Sequence, residues 1–234
     1  MAALIEITDL SFRYPDGKMA LESISLGVSA GEKLALLGAN GAGKSTLLLH
    51  LNGILEGSGK ITVAGVEINR NNLGQVRALV GVVFQNPDDQ LFSTTVYEDV
   101  AYGPIYAGLD PQTVIERVRA ALAAVDMEGY GGRNPYHLSS GEKKRIAIAS
   151  VLSMQPEILV FDEPTAGLDP RARREFLTLL AALPQTMILA THDLEMARQI
   201  CSRLVILDEG RLAAEGNARD LLCDHNLLLA HGLA

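Results

Sequence analysis

The chain has 234 residues, 48% hydrophobic and 5% aromatic, enough to bury a large core in one domain or in a domain carrying an inserted lobe. A net charge of −8 and a pI near 5.1 disfavour a nucleic-acid partner, because such a surface needs a basic face to neutralise phosphates. No stretch approaches the roughly 18 uninterrupted apolar residues of a membrane span, residues 1–9 lack a secretory layout, and two cysteines, Cys201 and Cys223, suit a reducing compartment better than a disulfide framework.

In chain order, residues 4–14 and 22–29 alternate apolar and polar side chains and predict strands of an antiparallel sheet with one wet face. Residues 33–37 form a short apolar run, followed by a glycine-rich turn and an apolar helix over 45–51. Strand, turn and helix in that order open an α/β unit. Residues 60–68 read as a hairpin turning at Gly65, and 79–84 as another buried strand. From about 96 to 152 the pattern is mostly helical, with clear periodicity over 111–125. Strand and helix then alternate: 158–161, 171–183, 186–190, 194–201 and 204–207. The expected fold class is α/β: a parallel core with an antiparallel β part, over 1–87 and 154–234, and an inserted helical lobe over 88–153.

Gly38-Ala39-Asn40-Gly41-Ala42-Gly43-Lys44-Ser45 fits the P-loop pattern G-x-x-x-x-G-K-[ST], with Thr46 next. The glycines let the backbone curl so that successive N–H groups face phosphate oxygens, and the helix that follows aims its positive end at the same point. Lys44 is expected to bridge the β- and γ-phosphates of ATP, and Ser45 to ligate Mg²⁺. Ile158-Leu159-Val160-Phe161-Asp162-Glu163 is an apolar run ending in two acids. A buried strand has no use for adjacent carboxylates unless something positive meets them. Asp162 is the expected metal-side acid and Glu163 the base that takes a proton from an attacking water.

Leu138-Ser139-Ser140-Gly141-Glu142, just before that strand, resembles the signature of ABC ATPases, usually L-S-G-G-Q. The resemblance covers essentially the whole chain and implies a P-loop core of RecA type, ATP hydrolysis with Mg²⁺, and two protomers, expected as a homodimer, joined head to tail by two ATP molecules. It implies that Ser139 and Gly141 contact the nucleotide of the opposite subunit. Ser140 and Glu142 depart from the usual pattern. An acid aimed at the γ-phosphate would repel it, so the glutamate is expected to face away. Gln85 resembles the Q-loop glutamine that senses metal and water. Ala166-Gly167-Leu168-Asp169 resembles the D-loop at the dimer interface, with Asp169 at the nucleotide. His192 resembles the switch histidine on the γ-phosphate, and Tyr14 the residue that stacks on adenine.

Residues 84–92 and 95–104 look like the ATPases of energy-coupling-factor importers, which take up cobalt, nickel or vitamins. This implies a transmembrane coupling subunit seated near Gln85, a substrate-capture membrane subunit, and a position on the cytoplasmic face of the cell membrane. Asp88-Asp89 offers charge to basic residues of such a helix. A cobalt or nickel cargo is the expectation, vitamin uptake the alternative, and an ABC protein acting on nucleic acid or ribosomes the rival. Cys223, His225 and His231 match no standard metal spacing.

Overall fold

The computed structural model describes residues 3–233. An antiparallel sheet is built from β1 (Ala3–Arg13), β2 (Met19–Ser29), β4 (Ser58–Val63) and β5 (Val66–Glu67), in the order β2-β1-β4-β5. A second sheet has six strands: β3 (Lys33–Leu37), β6 (Val80–Val83), β7 (Ile158–Asp162), β8 (Thr186–Thr191), β9 (Arg203–Asp208) and β10 (Arg211–Asn217). Their order is β10-β9-β3-β8-β7-β6, parallel except for the β9–β10 hairpin.

Parallel strands are covered on both faces, which is why they read as continuous apolar runs. Along β3, Leu34 and Leu36 join Leu47, Leu48 and Leu51 of α1 (Lys44–Leu51) and the antiparallel sheet. Ala35 and Leu37 face the opposite core, with Ile146 and Ile148 of α5 (Ser140–Leu152) and Phe176 of α6 (Pro170–Ala182). The crossover from β6 to β7 carries α3 (Val96–Tyr106), α4 (Pro111–Ala124) and α5, which pack on one another. Within this crossover, residues 125–139 form a turn-rich connection whose only helical piece is a 3₁₀ turn over Pro135–His137, capped by Asn134.

Sequence periodicity missed α2 (Leu73–Leu79), in which only Val76 is buried, so it carries no apolar stripe. The chain continues after β8 through α7 (Leu194–Ile200), and after β10 through α8 (Ala218–Cys223) and α9 (His225–Ala230). These last two helices are one to two turns long, too short for a periodic signal. Burial pushes the Cys201 thiol up to about 12, which makes it an inert packing group. His231 pairs with Asp208 at 2.7 Å and so helps hold the C-terminal helix to the end of β9. No helix among the described residues is long and apolar enough to cross a membrane.

Candidate functional site

Three adjacent strands, β3, β8 and β7, end at one edge of the parallel sheet. The segments after them supply the P-loop, Thr191-His192 and Asp162-Glu163. Ligands of open α/β sheets lie outside such carboxyl ends. A cavity of about 380 Å³ opens there, lined by Tyr14, Asn40, Gly41, Gly43, Lys44, Ser45, Thr46, Gln85, Asp162, Glu163 and His192. Lys18 and Ala20 also line it, and sequence reasoning missed both. Asp16-Gly17 was the available signal, a turn that returns the chain beside Tyr14 through a Tyr14 N–H bond to the Lys18 carbonyl at 2.9 Å.

The P-loop fits against neighbouring backbone so closely that a side chain is excluded at two points. A Cβ on Gly38 would stand 2.3 Å from the Leu207 carbonyl oxygen. Gly43 caps α1 at φ +106°, and a Cβ there would lie 2.5 Å from the Ala20 carbonyl oxygen. Ala42 does not line the cavity. Its carbonyl accepts the Gly210 N–H at 3.0 Å, anchoring the loop to the β9–β10 turn. Lys44 is 5% exposed and donates to the Gly38 and Ala39 carbonyls at 2.7 and 3.1 Å. Its Nζ is also 3.9 Å from the Glu163 carboxylate. Tyr14 and Thr46 share a hydrogen bond of 3.0 Å, and the Phe12 ring meets Tyr14 edge-on at 5.0 Å, fixing the plane of the tyrosine at the cavity wall.

Burial raises the Asp162 carboxyl above its ordinary range. The adjacent Glu163 charge adds to that, while the Ser45 hydroxyl and Lys44 pull it down. A half-buried acid in that condition, touching a serine hydroxyl and facing an open cavity, is a donor set a divalent cation fits. Ser45 and Asp162 are thus suited to hold Mg²⁺.

Glu163 occupies a left-handed backbone position, φ +42°, which costs about 1–3 kcal/mol for a non-glycine residue. Its N–H bonds to the Ala190 carbonyl at 2.9 Å, so the strain is imposed by the sheet edge. The carboxylate is buried and accepts from Thr191 Oγ1 at 3.1 Å, the His192 N–H at 3.4 Å and His192 Nδ1–H at 2.9 Å. The ring of His192 is largely exposed toward the cavity. Asp193, next in sequence, accepts a bidentate pair from Arg173 at 2.8–3.0 Å and caps α7 through the Met196 N–H, so the switch turn is braced against α6.

Ser139, Gly141 and Asp169 are not brought to this cavity. Ser139 and Gly141 line a separate one of about 560 Å³ with Tyr130, Glu142 and Arg145. Ser139 caps α5 in a full capping box. Glu142 turns back from the helix tip and accepts from the Ser139 N–H, the Ser139 hydroxyl and the Tyr130 hydroxyl, each at 2.8 Å. Those bonds, the Ser139 N–H first, hold its carboxyl below the ordinary range. The Ser140 hydroxyl donates to the Gly167 carbonyl at 3.2 Å, and a Cβ on Gly141 would be 3.3 Å from Ala172, so the signature turn sits against residues 167–172. Asp169 is the N-cap of α6, accepting from the Arg171 and Ala172 N–H groups.

Asp88 stays half exposed while forming a 2.6 Å ion pair with Lys143, so part of the charge of the Asp88-Asp89 pair is met within the chain. What the surface near Gln85 does offer is apolar. Phe92, Tyr102, Ile105 and Tyr106 are 61%, 54%, 60% and 85% exposed. The rings of Phe92 and Tyr102 meet edge-on at 5.1 Å, and those of Tyr102 and Tyr106 stack at 6.3 Å.

The ABC transporter family profile matches residues 21–166. An energy-coupling factor transporter ATP-binding protein, EcfA of Methanothermobacter thermautotrophicus, is 48% identical over 231 residues, spanning 96% of this chain and 74% of that one. The solved cbiO1 of Clostridium perfringens, described as part of the ABC transporter complex cbiONQ, superposes with a TM-score of 0.88 at 38% identity, covering 100% of this chain and 96% of its own. The ATP-binding cassette MJ0796, in a dimeric post-hydrolysis state bound to ADP and phosphate, gives a TM-score of 0.81 at 25% identity, over 92% and 99% of the two chains.

Proposed function

The chain belongs to the ABC transporter family of ATPases, and on that premise we propose that it powers an energy-coupling-factor importer, with cobalt or nickel ions as cargo. The observation that carries the ATPase reading is the convergence of Lys44, Asp162, Glu163 and His192 on one cavity at the ends of three adjacent strands. Backbone N–H groups of residues 40–45 and the Lys44 ammonium bind the phosphates. Tyr14 stacks on the base. Ser45 and Asp162, with Gln85 lining the same cavity, would hold Mg²⁺, which would supply charge neutralisation of the phosphate oxygens.

Glu163 takes the proton of the attacking water as its oxygen bonds to the γ-phosphorus and the bond to ADP breaks. His192, oriented through Nδ1 by that same carboxylate, holds the γ-phosphate from its exposed edge. The position of Ser139 and Gly141 outside this cavity supports their serving a second protomer's nucleotide, as a homodimer requires. Asp169, on the adjoining turn, would then face the dimer interface.

The exposed aromatic band of Phe92, Tyr102, Ile105 and Tyr106 supports docking of a membrane coupling subunit at the cytoplasmic face, because a contiguous exposed apolar patch marks an interaction surface. Tagged protein drawn from gently solubilised membranes tests this, with bound cobalt, nickel and vitamins assayed on the same sample. Membrane subunits with cobalt or nickel are expected. A membrane complex carrying a vitamin would refute the cargo, and a soluble partner alone would refute import.

A further inference from the structure

Lys144 is the one buried lysine of α5 that the hydrolytic scheme leaves unused. It is 4% exposed, and its Nζ donates to the main-chain carbonyl of Gln85 at 3.0 Å. Burying an ammonium costs several kcal/mol unless its hydrogen bonds repay it, so a helix-packing role alone would be served better by an apolar side chain of the same length. The neighbouring residues make the same connection. Lys143 grips Asp88 at 2.6 Å, and Gln90 donates to the Ala147 carbonyl at 2.7 Å and to Ser150 Oγ at 2.9 Å while accepting the Phe84 N–H at 3.2 Å. Residues 84–90 are therefore fastened to α5 at three points, and Gln85 itself is fastened by Lys144.

Ser139 caps the same helix five residues earlier, about 7.5 Å away along its axis. A rigid helix thus has the signature serine at its tip and the Gln85 loop on its flank. We propose that Lys144 is a positioning residue that carries Gln85 to its own metal site when Ser139 engages the nucleotide of the second protomer, so that each ATP site reports its occupancy to the other. Without the tether, Ser139 still binds across the dimer, but Gln85 is no longer placed by that event.

This rests on the two-protomer reading, so the experiment separates the two. The background is Glu163→Gln, and the reporter is Phe84→Trp, the single tryptophan in a chain that otherwise has none. With Mg-ATP this protein is expected to dimerise by light scattering and to shift its emission. Lys144→Met added to it should still dimerise and bind fluorescent ATP within about twofold, yet lose the shift. In the otherwise native chain, Lys144→Met should lower kcat by roughly tenfold to a hundredfold and raise the Mg²⁺ concentration for half-maximal rate. Lys144→Gln, which keeps a donor, should recover part of both, and it carries the same measurements if the methionine variant does not fold. Absence of an ATP-dependent dimer in the background protein would overturn the two-protomer reading and this inference with it. A dimer with unchanged kcat and an unchanged emission shift in Lys144→Met overturns the inference alone, as does an equal fall in kcat and ATP affinity.

Discussion

Replacing Glu163 with Gln removes one charge and almost no volume. Thr191 Oγ1 and the His192 N–H, at 3.1 and 3.4 Å, can still donate to the amide oxygen. The amide nitrogen then faces His192 Nδ1, now 2.9 Å from a carboxylate oxygen, and the imidazole answers by adopting the tautomer in which Nδ1 accepts. Lys44 loses a carboxylate at 3.9 Å but keeps the Gly38 and Ala39 carbonyls. A charge-assisted hydrogen bond becomes a neutral one, a loss of about 1 kcal/mol, or ~2–4 °C in Tm for a chain of this size. Catalysis should suffer far more, because losing a general base costs about 10²- to 10⁴-fold, equivalent to roughly 2.7–5.4 kcal/mol of barrier. Single-turnover release of phosphate from γ-labelled ATP measures the chemistry, and fluorescent-nucleotide titration measures binding. A variant within about threefold of native turnover, or one whose ATP affinity falls as far as its rate, would refute the assignment of Glu163 as the base.

Asp162→Asn should raise the Mg²⁺ concentration needed for half-maximal hydrolysis, read from a metal titration at saturating ATP; an unchanged titration would remove Asp162 from the metal site. Gly43→Ala places a Cβ 2.5 Å from the Ala20 carbonyl oxygen at a positive φ, and the strain and overpacking together should cost about 2–5 kcal/mol by denaturant unfolding. His50 is 1% exposed; burial, only partly opposed by its Nδ1–H bond to the Thr46 carbonyl, lowers its pKa from 6.5. The unfolded chain therefore takes up the His50 proton first, so the stability present above about pH 6.5 is lost as pH falls below it. His50→Leu should flatten that part of the curve in urea unfolding at stepped pH, and parallel curves for the two proteins would count against it.

The sequence by itself determined where the candidate chemistry lies along the chain. The P-loop spacing, the apolar run ending in Asp162-Glu163 and the Ser139-Ser140-Gly141 turn are local patterns, in which backbone curvature and residue type sit within a few positions of one another. The same holds for the apolar strand runs, because burial on both faces of a parallel sheet leaves a continuous apolar segment. It did not reach α2, the turn-rich connection over residues 125–139, or the C-terminal helices, where short elements with few buried residues leave no period to read.

Only the tertiary structure decided how the motifs meet. The strand order β3-β8-β7 brings residue 44 to residue 163, 119 positions away, and residue 163 to residue 192, 29 positions away, and no linear pattern records strand order. It also decided that Asp88 pairs with Lys143, that Glu142 folds back onto Ser139, and that Lys144 holds Gln85. Each of these is a side chain choosing among nearby partners, a choice set by distance and burial in three dimensions.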